Sequence, residues 1–261
     1  MLHNYESQSS ASGLKSGAAA TEDKTDLIIA LDFPNGERAF SFVEQLTGLQ
    51  VIYKVGLELF MCGGPELVRE LVRRKNRVFL DLKFHDIPNT VARAVKQAAL
   101  LQVEMMTVHL SGGREMIRAV ANELSEVSVA KPKILGVSVL TSFNDERWAE
   151  LTQALTGHAT QASDAVMGLV GSCATSGIDG VVCSALELEV LIQRFPKLFT
   201  VVPGIRPAGF KIHDQARVTT PAQARQWGAH AIVMGRPITE SQSPREITEL
   251  VLKDLAQPRK V

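Results

Sequence analysis

Charged residues interrupt an apolar run in the segment FLDLKFHDIPNT, residues 79–90. Asp81 and Lys83 lie two positions apart, so both side chains project from one face of an extended strand, while Leu82 and Phe84 face the other way. Burying a carboxylate or an ammonium group is costly unless it is paired, so core strands normally avoid both. The pattern therefore predicts that this strand ends at the mouth of a pocket.

Lys54 lies near the end of the preceding apolar run, VIYKVG (51–56), and Asp86 follows the run that contains Asp81 and Lys83. The alternation of positive and negative side chains predicts a row Lys54–Asp81–Lys83, which Asp86 can extend. Each charge in such a row stabilises its neighbours. A lysine in such a row can protonate a carbon that develops negative charge, and its own charge stabilises that carbanion. Two other uses stay open. One is a Schiff base, which needs a neutral amine that flanking carboxylates disfavour, and the other is a salt-bridge network without chemistry.

Two glycine–arginine turns follow the last two apolar runs, in VVPGIRPAG (201–209) and VMGRPIT (233–239). Glycine lets backbone N–H groups approach an anion, and Arg206 and Arg236 each supply a bidentate charged donor. The pair predicts a phosphate clamp. The long polar loop after Arg206 is predicted to be either a lid over the phosphate, with Gln215 as a contact, or an excursion without function.

The elements that must position these residues are eight short apolar runs, which alternate with helix-patterned segments from residue 25 onward. Most runs are continuously apolar, as in a parallel sheet that is covered on both faces. This order predicts an α/β fold, a single (β/α)8 TIM barrel over residues 25–261. The predicted strands are 26–32, 51–56, 77–83, 104–110, 133–140, 180–184, 199–204 and 230–235. A doubly wound sheet is the alternative, but no Gly-rich dinucleotide turn follows the first run.

The carboxyl ends of the strands are where such a barrel places its active site. Polar and charged residues collect there: Asp32, Lys54, Asp81, Lys83, His109, Ser138, Ser184, Arg206 and Arg236. His109 either lines the pocket or is a satisfied histidine at the barrel mouth. A metal bound by Asp81, His85 and His109 is not expected, because alternation points His85 away from the Asp81 face. No Ser–His or Cys–His nucleophile pair and no nicotinamide fingerprint is recognisable, so the residues favour proton chemistry on a phosphorylated small molecule.

Composition excludes several classes of protein. The 28 basic residues balance 28 acidic ones, which argues against general attraction to nucleic acid or to an anionic membrane. Hydrophobic residues make up 45% of the 261 residues, enough for a large core. No apolar stretch approaches the roughly 18 residues of a membrane span.

Cysteine usage and the first residues bear on location. Cys62, Cys173 and Cys183 are odd in number and widely spaced, which favours a reducing cytoplasm over a disulfide scaffold or a zinc site. Residues 1–24 are rich in Ser, Ala and Gly and lack an apolar core segment. They are predicted to form a disordered tail rather than a secretory signal.

The segment DLKFHDIPNT (81–90) resembles the signature of the orotidine 5′-phosphate decarboxylase family. The resemblance runs over roughly residues 26–255 and includes Leu31-Asp32, Lys54-Val55-Gly56, VPGIR (202–206) and VMGRPI (233–238). It implies conversion of orotidine 5′-monophosphate to uridine 5′-monophosphate and CO2 without a cofactor or metal, in de novo pyrimidine synthesis. It also implies a homodimer, with Asp86 completing the neighbouring subunit's site.

The resemblance further implies roles for single residues. Lys83 would donate the proton to C6 of the pyrimidine, and Asp81 and Asp86 would lie against the departing carboxylate and hold the lysines. The other implied contacts are Asp32 and Lys54 with the ribose, Thr141 with the pyrimidine or its neighbourhood, and Arg206, Gln215, Gly235 and Arg236 with the phosphate. The rest of the signature is expected to line the substrate site, namely Leu82, Phe84, His85, Ile87, Pro88, Asn89 and Thr90.

Two alternatives remain. A keto-gulonate-phosphate decarboxylase resembles this family in fold and in the Asp-x-Lys-x-x-Asp pattern, and it would depend on a metal. The IPNT continuation and the GIRP and MGRPI turns favour the nucleotide enzyme. The second alternative is a catalytically silent phosphate-binding barrel, but a binder does not need a Lys–Asp–Lys row.

Overall fold

The computed structural model describes residues 24–207 and 219–259. Eight parallel strands close into a barrel in chain order, and β8 pairs with β1. The strands are β1 (Asp26–Ala30), β2 (Ile52–Gly56), β3 (Arg77–Phe84), β4 (Met105–His109), β5 (Lys133–Val137), β6 (Gly180–Val182), β7 (Phe199–Val202) and β8 (Ala231–Met234). The predicted (β/α)8 barrel and all eight of its predicted strands are confirmed.

Helices follow the strands and cover the outside of the barrel. They are α1 (Gly36–Gln45), α2 (Leu57–Arg73), α3 (Pro88–Ala99), α4 (Gly113–Ser125), α5 (Asp145–Thr156), α6 (Ala162–Cys173), α7 (Leu188–Arg194), α8 (Pro221–Gln226), α9 (Arg236–Thr239) and α10 (Pro244–Leu255). Leu110–Gly112 form one turn of 3-10 helix before α4. Within the described residues, no helix is both long and apolar enough to cross a membrane.

Two apolar clusters show how the strand residues alternate between the two faces of the sheet. The larger cluster lies between strands and helices and includes Leu80, Met106 and Val108. The smaller cluster fills the inside of the barrel and includes Phe79 and Met105. Side chains of a strand point to opposite faces in turn, so the residues two positions further along β3 and β4 also face inward. This inner cluster is the floor on which the polar residues of the barrel mouth lie.

Two segments carry the sequence signal of a helix start with a capping box, Thr220-Pro221-Ala222-Gln223 and Ser243-Pro244-Arg245-Glu246. The box is present at α8, because Thr220 Oγ1 accepts from Gln223 N and Gln223 Oε1 accepts from Thr220 N. The second signal correctly predicts that α10 begins at Pro244, but the Ser243 side chain makes no cap bond. The Ser243 backbone N–H donates to Ser241 Oγ at 3.1 Å instead, so it is not available to a capping box.

Polar contacts also join the amino ends of the strands. The Arg77 guanidinium binds Glu104 Oε1 at 2.6 Å and Asp26 Oδ2 at 3.1 Å, which ties β1, β3 and the start of β4 together. On β7, Thr200 N donates to His230 Nδ1 at 3.1 Å. These contacts lie at the opposite end of the barrel from the predicted site, where they serve stability.

Candidate active site

A row of charged side chains lies directly above the apolar floor of the barrel. Lys54 follows Ile52 by two positions on β2, and Asp81 follows Phe79 in the same way on β3, so both face inward. Each side chain is only 13% exposed. In the pairing of β2 with β3, Gly56 is opposite Asp81, so the C-terminal ends of the two strands lie side by side. The site therefore arises from the period of two within each strand and from the register between strands.

The charges alternate in sign along the row. Lys83 Nζ lies 2.9 Å from both carboxylate oxygens of Asp81. Lys54 Nζ lies 3.7 Å from Asp81 Oδ2 and 3.5 Å from Asp32 Oδ1. The order Asp32–Lys54–Asp81–Lys83 gives each charge an opposite neighbour, which offsets part of the desolvation cost of the three half-buried groups, Lys54, Asp81 and Lys83. Such an arrangement holds two ammonium groups at the mouth of the pocket.

The strand β3 is not regular where it carries this chemistry. Leu80 is opposite Met106 and Phe84 is opposite Val108, so three residues of β3 face one residue of β4. This is a β-bulge, and Lys83 within it has a φ of 51°, in the left-handed region that a lysine rarely adopts. The sequence predicted that Asp81 and Lys83 meet through regular alternation. They do meet, but through a bulge, since the strand is irregular between the two pairs.

Thr107 of β4 is a site residue that the sequence reasoning missed. It is fully buried and faces inward two positions after Met105. Its hydroxyl donates to Asp81 Oδ1 at 2.9 Å and accepts from the backbone N–H of Lys83 at 2.9 Å. The available signal was a hydroxyl at an inward position of the apolar run EMMTVHL.

Apolar walls surround the row on the side of β5 to β8. The pocket is lined by Lys54, Phe79, Asp81, Lys83, Val137, Val139, Leu140, Thr141, Val182, Val201, Pro203 and Val233. Thr141, predicted from the resemblance, lies in this wall. Leu82 and Phe84 pack against the outer cluster on the far side of β3, as alternation predicts, and do not line this pocket, although the resemblance implied that they line the substrate site. A planar apolar group with polar edges fits such a pocket, because the walls are apolar and the charges lie at one side.

The predicted phosphate residues lie at the ends of β7 and β8. Arg206 is half-buried, and its backbone N–H donates to Thr219 O at 3.1 Å. Arg236 is exposed and begins α9, with Gly235 before it. A Cβ at Gly235 would lie 3.6 Å from Asp32 Oδ2, so the bare glycine leaves this part of the rim open. Gln215, with most of the predicted lid, lies outside the described residues.

The residues that follow β3 are mostly exposed. His85, Asp86, Ile87, Asn89 and Thr90 are exposed, and Pro88 is half-buried at the start of α3. Asp86 Oδ1 accepts from Ile87 N at 2.6 Å. Among the described residues, Asp86 forms no ion pair with Lys54 or Lys83 of its own chain. This part of the signature is thus separate from the charged row within one chain.

Two histidines stack beside the row. The rings of His85 and His109 have centroids 5.2 Å apart, and Ser111 Oγ lies 3.0 Å from His109 Nδ1 and 3.4 Å from His85 Nε2. Burial, and then the charges of His85 and Lys83, lower the pKa of His109 below its usual value. The sequence reasoning missed this Ser–His contact, which the 3-10 turn after β4 creates. In the described part of the chain, no three His, Cys, Asp or Glu side chains are grouped to hold a metal ion.

Comparisons with known proteins identify the relatives of this chain. The model of the orotidine 5′-phosphate decarboxylase / HUMPS family matches residues 25–251. An orotidine 5′-phosphate decarboxylase of Legionella pneumophila (strain Corby) is 45% identical over 230 residues, 88% of this chain and 98% of that protein. The protein of the same name from Alcanivorax borkumensis is 43% identical over 231 residues, again 88% of this chain and 97% of that protein.

Solved structures point the same way. The crystal structure of orotidine 5′-phosphate decarboxylase from Lactobacillus acidophilus superposes with a TM-score of 0.78 at 34% identity. It covers 89% of this chain and all of the other. With the family model matching nearly the whole barrel, the chain belongs to the orotidine 5′-phosphate decarboxylase / HUMPS family.

Proposed function

We propose that this protein decarboxylates orotidine 5′-monophosphate to uridine 5′-monophosphate and CO2, in de novo pyrimidine biosynthesis. Family membership and the names of its relatives support the reaction. The observation that carries the assignment within the chain is the alternating row Asp32–Lys54–Asp81–Lys83 beside an apolar pocket. A barrel that only bound phosphate would have no use for two lysines held in this way.

The proposed step uses the ammonium group of Lys83. The bond between C6 and the carboxylate breaks, its electron pair stays on C6, and CO2 leaves. Lys83 Nζ then gives its proton to C6 and regains one from solvent. The charge of the two lysines stabilises the developing carbanion without a metal or an organic cofactor. Asp81 supports this role because it binds the Lys83 ammonium through both oxygens.

The proposed contacts with the substrate follow the resemblance to the family. Lys54 and Asp32 would contact the ribose, and Asp32, which is 62% exposed, is the more accessible of the two. Thr141 would contact the pyrimidine from the pocket wall. Arg206, Gly235, Arg236 and Gln215 would bind the phosphate, whose binding energy can drive orientation at the distant reacting carbon.

A homodimer is part of the proposal. Asp86 is exposed and makes no ion pair with the lysines of its own chain among the described residues, so it is available to the site of a second subunit. Large apolar side chains are exposed in the same region: Leu57 after β2 is 58% exposed, Met61 79% and Ile87 66%. Exposed apolar surface of this kind is typical of subunit interfaces. The residues from Ile87 to Thr90 would then lie at the interface beside the partner's substrate.

A cytoplasmic location fits the three free cysteines, of which Cys173 and Cys183 are buried. The direct test of the function is to follow the loss of orotidine 5′-monophosphate absorbance with and without a chelator. We expect equal rates in both. Loss of turnover with chelator would contradict the metal-free step, and no turnover in either, as expected of a keto-gulonate-phosphate decarboxylase, would overturn the assignment.

A further inference from the structure

We propose that Thr107 is a positioning residue, which sets the geometry of the Lys83–Asp81 pair through one hydroxyl group. The inference rests on the proposed function, because it assigns a task to the Lys83 ammonium. It adds a residue that lies outside the DLKFHDIPNT signature, on the neighbouring strand. Thr107 does not line the pocket, so it acts through the two residues it holds.

The contacts of Thr107 satisfy the hydroxyl on both sides. A hydroxyl has one proton to donate and two lone pairs to accept with. Thr107 Oγ1 donates to Asp81 Oδ1 at 2.9 Å and accepts from Lys83 N at 2.9 Å. Its residue is 0% exposed, so water cannot replace either partner at low cost. One atom thus joins the backbone of the lysine to its counter-ion.

The bulge in β3 explains why a side chain is needed there. In a regular parallel pair, backbone N–H groups of β3 donate to backbone carbonyls of β4. Because three residues of β3 face Thr107 alone, the ladder is broken at this point. The Thr107 hydroxyl takes the place of the missing carbonyl, and Lys83 keeps its left-handed φ of 51°. A strained conformation persists only where surrounding contacts hold it.

The same hydroxyl also orients the carboxylate. Asp81 Oδ1 receives both the Thr107 hydroxyl and the Lys83 ammonium, each at 2.9 Å. Removing the hydroxyl would leave the Lys83 N–H without its acceptor and give Asp81 freedom to turn. The ammonium would then occupy several positions, and fewer of them would suit proton transfer. Binding of the nucleotide, which depends on groups further along the rim, would change little.

The test compares Thr107→Val, which keeps the shape, with Thr107→Ser, which keeps the hydroxyl. Thr200→Val is the matched control, because Thr200 is a buried strand threonine whose hydroxyl lies 2.9 Å from His230 Nδ1 at the other end of the barrel. We expect Thr107→Val to lower kcat about tenfold while KM stays within about twofold. Thr107→Ser should restore most of kcat, and Thr200→Val should leave it unchanged.

Amide hydrogen exchange gives a readout that needs no substrate. The Lys83 N–H should lose protection in Thr107→Val and keep it in Thr107→Ser. If Thr107 only stabilised the fold, Thr107→Val would instead reduce the protection of all β3 amides alike. Equal kcat in Thr107→Val and Thr200→Val, or no rescue by Thr107→Ser, would overturn the inference. A wild-type protein without turnover would instead contradict the proposed function. The exchange experiment would still test the hydroxyl in that case, because unchanged protection of the Lys83 N–H in Thr107→Val would refute its role.

Discussion

Lys83 Nζ lies 2.9 Å from both carboxylate oxygens of Asp81, although the two residues are only two positions apart on one strand. A pair so close in sequence meets at this distance because β3 bulges and Lys83 takes a left-handed φ. Charge-assisted contacts of this kind are about twice as strong as neutral ones. The pair therefore holds an ammonium group in one place at the edge of an apolar pocket.

Replacing Lys83 with alanine should abolish most decarboxylation. Loss of the proton donor and of its charge should lower kcat by about four powers of ten, with the fold intact because the side chain is one-third exposed. Lys133→Ala is the matched control, since this exposed lysine starts β5 at the opposite end of the barrel. Steady-state kinetics on both variants, with thermal unfolding to check the fold, would measure this. Near-normal turnover in Lys83→Ala would rule out the assigned step.

Replacing Arg236 with alanine should weaken substrate binding. Removing one charged donor from the proposed phosphate clamp should raise KM about ten- to a hundredfold. Arg69→Ala, which removes an exposed arginine that pairs with Glu66 on α2, should leave KM unchanged. Initial rates over a range of orotidine 5′-monophosphate concentrations would separate KM from kcat. An unchanged KM in Arg236→Ala would argue against this arginine as a phosphate ligand.

Mixing two inactive variants should restore activity if the site is shared between subunits. In a heterodimer of Lys83→Ala and Asp86→Ala, one of the two sites contains both native residues. Random exchange of equal amounts should then recover about a quarter of wild-type turnover, because about half the dimers are mixed and each has one intact site. Each variant incubated alone is the control. A heterodimer verified by native mass spectrometry that shows no recovery would contradict the shared site.

His230 should make stability depend on pH. Burial, and then the charge of Arg259, lower the pKa of His230 below 6.5, and its Nδ1 accepts from Thr200 N. The unfolded chain therefore binds the proton first, so the free energy of unfolding should fall as the pH drops below about 6.5, by at most about 1.4 kcal/mol per pH unit. The fall should stop below the folded pKa, where both states are protonated.

Urea unfolding of wild type and of His230→Asn between pH 8 and pH 5 would measure this dependence. The asparagine side-chain oxygen can accept from Thr200 N but does not titrate, so the difference between the two proteins isolates His230 from His109. Parallel curves for the two proteins over this range would show that His230 contributes nothing to the pH dependence.

Local spacing alone predicted much of the fold. Eight apolar runs of strand length gave all eight strands, because residues buried on both faces of a parallel sheet must be continuously apolar. The capping box at Thr220 was also predictable from local sequence, since its donors and acceptors lie within four residues. The similar signal at Ser243 predicted the start of α10 but not its cap bonds, since Ser241, just outside the motif, binds the N–H that the box requires.

The sequence by itself determined which residues meet at the barrel mouth, because the period of two along β2 and β3 sends Lys54 and Asp81 inward above apolar residues. Only the tertiary structure decided how Lys83 reaches Asp81 and that Thr107 holds both. That outcome depends on the register between β3 and β4, where the pairing shifts between Leu80 and Phe84. Register is a property of two strands packed together, and neither strand's own sequence pattern encodes the bulge or the contacts that the Thr107 hydroxyl makes across it.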